Sequence, residues 1–170
     1  MHSISAVELL AREAGALALS HFKALGSVPV ESKGHLDLVT AADQDVERFL
    51  TEGLVKIFPN DGIFGEEGAA HQGNSGRTWV IDPIDGTFNF VRGGDQWAIS
   101  IGLYESAQPI FGVIFVPLRE QLLVGGVGLQ STLNGELIAQ RSGLDTSRAS
   151  CGVGFHPIIP VDLRLETLRF

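Results

Sequence analysis

The sequence predicts an α+β fold, a layered sandwich of two N-terminal helices on a mostly antiparallel sheet. Two observations predict it. Before Ile63, apolar residues recur twice at helical spacing, and after Ile63 short apolar segments alternate with turns. With 170 residues, of which 44% are hydrophobic, the chain is large enough to bury one core.

The two helices are delimited by capping and breaking residues. Ser5 and Glu8 form a capping-box pattern at the start of the first helix, and Gly26 ends it. An extended piece is expected around residues 28–30. The second helix is predicted to begin at Thr40 and to end before Pro59, which places Asp43 in its first turn.

Short β segments follow the second helix. The Asn134-Gly135 pair predicts a hairpin turn before the last of them, and Gly125-Gly-Val-Gly128 predicts a turn between antiparallel strands. Residues 68–77, which contain three glycines and no periodicity, are expected to form a mobile surface loop. The predicted strands are 63–64, 78–82, 98–104, 110–116, 122–127 and 137–139.

Charge and cysteine content restrict the function classes. The net charge of −8 disfavours nucleic-acid and anionic-membrane partners. Cys151 is the single cysteine, so no intrachain disulfide can form and a reducing compartment is expected. Charged residues interrupt the N-terminal apolar pattern, and no apolar run reaches membrane-spanning length. We therefore expect a soluble cytoplasmic protein.

The most informative segment ends the predicted strand 78–82. Pro83 separates Asp82 from Asp85 and prevents a helix there, so that both carboxylates can converge on one cation. Gly86 allows a ligand to approach the backbone closely, and Thr87 adds a hydroxyl. An Asp-x-x-Asp pattern alone is more often a solvated turn. The apolar residues on both sides of this one favour half-buried carboxylates, which need a cation.

A second acidic pair follows the strand 63–64. Glu66 and Glu67 lie between two glycines, a pattern that alone is usually a solvated turn. Hard divalent cations require several oxygen ligands at ~2.0–2.6 Å, more than an Asp pair supplies. Together with Asp82 and Asp85, the glutamates become candidates for binding a metal, and Glu66 completes a first site.

Other catalytic patterns are absent from the sequence. The five histidines include no i, i+4 pair, which argues against a zinc site. No Gly-x-Ser-x-Gly or Cys-His pattern indicates an acyl-transfer nucleophile. The glycine-rich residues 125–128 precede no helix, so a dinucleotide site is disfavoured.

Three segments, in this order and at similar spacing, resemble the inositol monophosphatase family of magnesium-dependent, lithium-sensitive sugar-phosphate phosphatases. The resemblance extends from the first helix to about Gly143. The segments are Asp37-Leu-Val-Thr-Ala-Ala-Asp43, Gly65-Glu-Glu67 and Trp79-Val-Ile-Asp-Pro-Ile-Asp-Gly-Thr87.

The resemblance implies a set of metal ligands. It makes Glu66, Asp82 and the Ile84 carbonyl ligands of one Mg²⁺, and Asp82 and Asp85 ligands of a second. Glu67 is expected to help hold metal and water. A two-metal site, with the ions ~3.5–4 Å apart, supplies a nucleophilic water and a counter-charge for phosphoryl oxygens.

The resemblance also implies the groups that contact water and substrate. Thr87, paired with Asp43, is expected to polarise the attacking water. The backbone amides of Gly86 and Thr87 are expected to bind the phosphate, with Asp85 nearby. Lys33 resembles the lysine near the metal site, and an exposed loop lysine is the equally weighted alternative.

Family members continue through a second α/β domain, whose Trp-Asp motif contributes another carboxylate. Trp79 and Trp97 are the only tryptophans here, and neither precedes an aspartate. We expect an N-terminal α+β metal-site domain over residues 1–145 and a stub of a truncated second domain over 146–170. The second α/β domain would then be largely missing, and the activity of the chain would be impaired. We also expect the chain to form a homodimer.

The predicted function is magnesium-dependent hydrolysis of a small phosphate monoester that resembles inositol monophosphate. A bisphosphate nucleotidase or a histidinol-phosphate phosphatase would share the same metal chemistry, although Asn89-Phe90 favours the inositol type. The alternative from another class is a non-catalytic metal-binding fragment. A magnesium titration of phosphate release separates an enzyme from such a fragment.

Overall fold

A computed structural model describes residues 2–25 and 33–139 of the chain. The chain divides into two compact units, Met1–Ile138 and Ala139–Phe170, and every element described below belongs to the first. The predicted domain boundary between 145 and 146, the predicted stub and the predicted extended piece at 28–30 lie outside the described residues.

Two long helices open the fold. Helix α1 spans His2–Leu25 and helix α2 spans Lys33–Ile57. The predicted starts of both helices are wrong, because α1 continues through Ser5 and α2 through Thr40. No proline or glycine interrupts residues 35–43, so helix propagation outweighs the capping preference of Thr40. Asp43 consequently lies in the interior of α2, not in its first turn. The predicted end before Pro59 is confirmed.

The described residues form one eight-stranded sheet in the order β2-β1-β3-β4-β5-β6-β7-β8. The β1–β3 pair is parallel, and every other neighbouring pair is antiparallel. Helix α3 (Thr87–Val91) lies between β3 and β4, and a 3₁₀ turn, Pro117–Arg119, precedes β6. The strands are β1 Gly62–Gly65, β2 Ala70–His71, β3 Arg77–Asp85, β4 Ala98–Glu105, β5 Gln108–Val116, β6 Gln121–Gly126, β7 Leu129–Leu133 and β8 Glu136–Leu137.

The α+β class with a mostly antiparallel sheet is confirmed, and each of the six predicted strands overlaps an observed one. Two strands were not predicted. β2 lies inside the stretch 68–77 that was predicted as a loop, and β7 carries a polar sequence, Leu-Gln-Ser-Thr-Leu, with little alternation. Both predicted turns are confirmed, since Gly126 pairs with Leu129 and since Asn134 and Gly135 have positive φ angles.

The core lies between the two long helices and one face of the sheet. Alternate residues of β3, β4 and β5 point to the helices, and each fully buried Ile or Leu contributes about 1.5–3 kcal/mol. Phe22, Phe90 and Trp97 form an aromatic cluster with centroid distances of 4.9–5.4 Å, which fixes α3 against α1. The buried residues include Val7, Leu10, Ala14, Ala18, Val46, Leu50, Leu54, Ile63, Trp79, Ile81, Ile99, Ile101, Leu103, Val113 and Phe115.

A buried carboxylate connects the turn after α2 to the start of β3. Asp61, which is 1% exposed, accepts hydrogen bonds from Arg77 Nε (3.1 Å) and Nη2 (2.9 Å) through Oδ1. Its Oδ2 accepts a third from Trp79 Nε1 (3.0 Å). Both carboxylate oxygens of the buried Asp61 are hydrogen-bonded, so this residue connects the turn before β1 to the first residues of β3.

No helix among residues 2–25 and 33–139 combines the length and the apolar character that crossing a membrane requires.

Candidate active site

The parallel pairing of β1 and β3 brings two acidic segments to one edge of the sheet. Gly65 at the end of β1 pairs with Ile81, and the Glu66 N–H donates to the Ile81 carbonyl oxygen (3.2 Å). Asp82 is the next residue of β3, and the Glu66 carboxyl group is near enough to raise the pKa of Asp82. Parallel strands end at the same edge, so residues that follow them are neighbours in space.

A β-bulge shapes the end of β3. Asp82 pairs with Ser100 and Asp85 with Ala98, so Pro83 and Ile84 together face the single residue Ile99 of β4. Bulges of this kind bend a strand and redirect its side chains, and proline is tolerated there because it has no N–H to pair. Ser100 and Ala98 share one face of β4, so the bulge brings Asp82 and Asp85 to the same face of the sheet, although they are three residues apart.

Local hydrogen bonds hold the turn after the bulge. The Ile84 N–H donates to Asp82 Oδ1 (3.1 Å), and the Thr87 hydroxyl donates to the Ile84 carbonyl oxygen (3.0 Å). Gly86 has a left-handed φ of 97°, and a Cβ there would lie 2.5 Å from the Gln96 carbonyl oxygen. Only glycine fits this position.

The turn that carries Glu66 and Glu67 is attached to α2 by Glu47, a residue that was not predicted to belong to the site. Glu47, 5% exposed, accepts the Glu67 N–H through Oε2 and the Ala69 N–H through Oε1, both at 2.8 Å. Glu47 follows Asp43 by one helical turn on α2, so both carboxylates lie on the same side of the helix. That i, i+4 spacing of two acids in an apolar pattern was the available sequence signal.

Burial and mutual repulsion raise the pKa of two aspartates. The pKa of Asp43 is raised to about 7 by its burial, and then by the negative charges of Glu67, Glu66 and Glu47. Asp43 is 4% exposed, so little water screens these charges.

The pKa of Asp82 is also raised to about 7. Burial is the largest cause, followed by the hydrogen bond to Glu66 and the charges of Glu66 and Asp85, while the Ile84 N–H lowers it. The pKa of Glu67 is raised in the same direction by burial and by Glu66 and Glu47. The carboxylates of the site therefore repel one another, and a cation bound between them would reduce that repulsion.

The donor set fits a hard divalent cation. The side chains that meet here are carboxylates, which with backbone carbonyls and water are the ligands that Mg²⁺ prefers. Within residues 2–25 and 33–139, no three acidic, histidine or cysteine side chains already stand together as a metal cluster. The carboxyl groups of Asp82 and Glu66 are neighbours, and a cation bound between them would offset their repulsion.

The roles of all the predicted site residues remain predictions, including those of Lys33, Thr87 and the amides that open α3. Lys33 is the first residue of α2, and its side chain lies outside the described part of the structure. The Thr87 hydroxyl bonds to Ile84, and its pairing with Asp43 stays a prediction. The amides of Gly86 and Thr87 open α3, where N–H groups lack intrahelical partners, and their phosphate-binding role stays a prediction.

The described residues form an α+β sandwich whose acidic turns meet at the end of a parallel strand pair. The sequence model of the inositol monophosphatase family matches residues 2–162. The chain belongs to that family.

Individual relatives agree with the family assignment. Nus factor SuhB of Xylella fastidiosa is 37% identical over 147 residues, which cover 86% of this chain and 53% of that protein. Histidinol-phosphatase of Chlorobaculum parvum is 38% identical over 126 residues, 74% of this chain and 48% of that protein. The crystal structure of inositol monophosphatase II from Staphylococcus aureus superimposes with a TM-score of 0.67 at 31% identity, over 81% of this chain and 51% of that one. The chain spans about half the length of these relatives.

Proposed function

We propose that this chain carries the magnesium site of a phosphatase that hydrolyses a small phosphate monoester of the inositol monophosphate class. The observation that carries the proposal is the parallel pairing of β1 with β3, which sets Glu66 beside Asp82. Family membership and the phosphatase names of several relatives support the reaction class.

The proposed ligands of the first Mg²⁺ are Glu66, Asp82 and the Ile84 carbonyl, and those of the second are Asp82 and Asp85. Glu67 supports the first site. When bound, Mg²⁺ supplies counter-charge for the phosphoryl oxygens and activates a water. The same proposal includes the lithium sensitivity implied by the resemblance and a cytoplasmic homodimer.

The proposed task of Thr87 is to orient the attacking water. Its hydroxyl donates a hydrogen bond to the Ile84 carbonyl oxygen. The lone pairs of the Thr87 oxygen can therefore accept a hydrogen bond from water. Asp43, buried on α2, would strengthen that polarisation. Gly86 lets the phosphate approach the backbone, whose amides donate to it, and Lys33 would add positive charge near the substrate.

A second candidate substrate is histidinol phosphate. It is favoured by the 38% identity to the histidinol-phosphatase of Chlorobaculum parvum over 74% of this chain. Both substrates are phosphate monoesters of a small polar alcohol, so the metal residues proposed above serve either one. The comparison of the two substrates in one assay decides between them.

Phosphate release by the 170-residue chain, measured at high protein concentration during a Mg²⁺ titration, tests the proposal. We expect slow release that requires Mg²⁺, disappears in Asp82→Asn, and is faster for inositol monophosphate than for histidinol phosphate. Calorimetry of inorganic phosphate binding with and without Mg²⁺ provides a second readout. Release or binding that persists in Asp82→Asn, or that ignores Mg²⁺, would refute the assignment of the site.

A further inference from the structure

We propose that Glu47 is a positioning residue that fastens the turn 65–69 to α2, so that Glu66 and Glu67 are presented to the metal site. We refer to its two hydrogen bonds, to the amides of Glu67 and Ala69, as the Glu47 clamp. The inference deepens the proposed function and rests on it for the identity of the metal site.

The geometry of the clamp is specific to a carboxylate. Its two oxygens each accept one N–H, from Glu67 and from Ala69, at 2.8 Å. Hydrogen bonds to an ionised acceptor are about twice as strong as those between neutral groups. The two amides flank Gly68, whose φ is 107°, so the clamp restrains the turn on both sides of this glycine.

The turn is built to enclose this carboxylate. The Gly65 N–H donates to the Ala69 carbonyl oxygen (2.7 Å), which closes the turn. A Cβ at Gly65 would lie 2.2 Å from Glu47 Oε2 and 2.6 Å from Glu47 Cδ. Glycine is therefore required at position 65 by the Glu47 carboxylate, which occupies the space of a Cβ. The φ of Gly65 is not in the left-handed range, so the backbone conformation alone does not require glycine there.

The electrostatic setting argues against a purely structural role. Glu47 adds a buried negative charge to a group that already contains Asp43, Glu66 and Glu67. In the absence of a cation this repulsion is unfavourable, and an apolar side chain would avoid it. A bound divalent cation would offset the charge, so the clamp and the metal should stabilise each other.

The test uses the full 170-residue chain as wild type, Glu47→Gln, Glu47→Ala and Gly65→Ala. Glu52→Gln is the matched control, because Glu52 is an exposed acid on the same helix. NMR amide exchange at Glu67 and Ala69, with chelator present, reads the clamp directly. Calorimetry with Mn²⁺, which takes the same oxygen ligands, reads the metal site, and thermal unfolding reads global stability.

We expect exchange of at least one of the two amides to be about tenfold faster in Glu47→Gln, because an NH₂ group, which cannot accept an N–H, replaces one of the two accepting oxygens. Both amides should be faster in Glu47→Ala and in Gly65→Ala. Mn²⁺ affinity should fall about 10–100-fold in Glu47→Ala, the usual range for a group that orients a ligand, and less in Glu47→Gln. Glu52→Gln should match wild type in both measurements.

Unchanged exchange at Glu67 and Ala69 in Glu47→Ala would overturn the clamp. Faster exchange with wild-type Mn²⁺ affinity would overturn the positioning role and leave the clamp as a stability contact only. A wild-type chain that binds no Mn²⁺ would refute the proposed function and the metal part of this inference together, while the exchange data would still show whether Glu47 holds the turn.

Discussion

Replacement of Asp82 by asparagine should have opposite effects on the metal-free and the metal-bound protein. At pH 8 the ionised Asp82 is unfavourable, since its pKa in the folded chain is raised to about 7 from 3.8. A carboxylate with a raised pKa costs nothing below the unfolded value of 3.8. The cost grows as the pH rises from 3.8 to about 7, and it is constant above that. Asparagine removes this charge, so we expect Asp82→Asn to stabilise the metal-free chain at pH 8 but not at pH 4.

The size of the stabilisation by Asp82→Asn follows from the pKa shift of Asp82. A difference of about three pKa units corresponds to a ceiling of ~4 kcal/mol. Asp82 is only half-buried, and screening by solvent reduces the gain to about 1–2 kcal/mol. In a domain of this size that gain raises Tm by roughly 3–6 °C.

The assay is thermal unfolding at pH 4 and pH 8, with chelator and with Mg²⁺. In Mg²⁺ the order should reverse, because Asp82 is the side chain proposed to contact both cations. Glu67→Gln is the comparison variant, and it should weaken Mg²⁺ binding only about 10–100-fold, whereas Asp82→Asn should abolish it. An Asp82→Asn chain that is less stable than wild type at pH 8 without metal, or that still binds Mg²⁺ normally in calorimetry, would refute the reasoning.

Three further substitutions probe other parts of the site and its support. Thr87→Ala should lower turnover with little effect on KM, while Thr87→Ser keeps most of the activity because it retains the hydroxyl, and equal loss in both would exclude a role for that hydroxyl. Gly86→Ala should destabilise the fold by about 1–3 kcal/mol in denaturant unfolding, since its φ of 97° disfavours a side chain; an unchanged midpoint would contradict this. Asp61→Leu should cost about 1–3 kcal/mol because it leaves the buried Trp79 Nε1 without an acceptor and removes the partner of the partly exposed Arg77, and a loss below 1 kcal/mol would show that water replaces these contacts.

Local chemistry determines how much of the site could be predicted. The turn of Asp82 and Asp85 was predictable because proline, glycine and the apolar strand before it act on the same few residues. Its bulge was not, since a bulge depends on how the neighbouring strand pairs. Glu47 was missed for the same reason. Its partners lie 20 and 22 residues away in sequence, and only the packing of α2 on the turn 65–69 brings them together.

The errors in the predicted helices and strands have a related cause. The start of α2 was placed at Thr40 from a capping preference worth about 1 kcal/mol, and continued helix formation over residues without a breaker can exceed that. The strand β2 has two residues, which is too short for any periodicity to appear in the sequence. The strands β3, β4 and β5 could be predicted, because each combines β-branched and aromatic residues over a longer run.

The contacts of Asp61 have a consequence for the proposed metal ligands at the opposite end of β3. Strand pairing from Gly62 with Thr78 to Gly65 with Ile81 is one continuous register, and Asp61 holds it at its origin. A slip of one residue would turn Asp82 toward the face that the helices cover and move it away from Glu66. The proposed ligand pair, Glu66 and Asp82, lies roughly 13 Å along the strand from Thr78. Its alignment therefore depends on the ion pair of Asp61 and Arg77, which contacts neither proposed ligand. Substitutions around Asp61 should accordingly disturb metal affinity as well as stability, a long-range sensitivity that proximity to the site would never reveal.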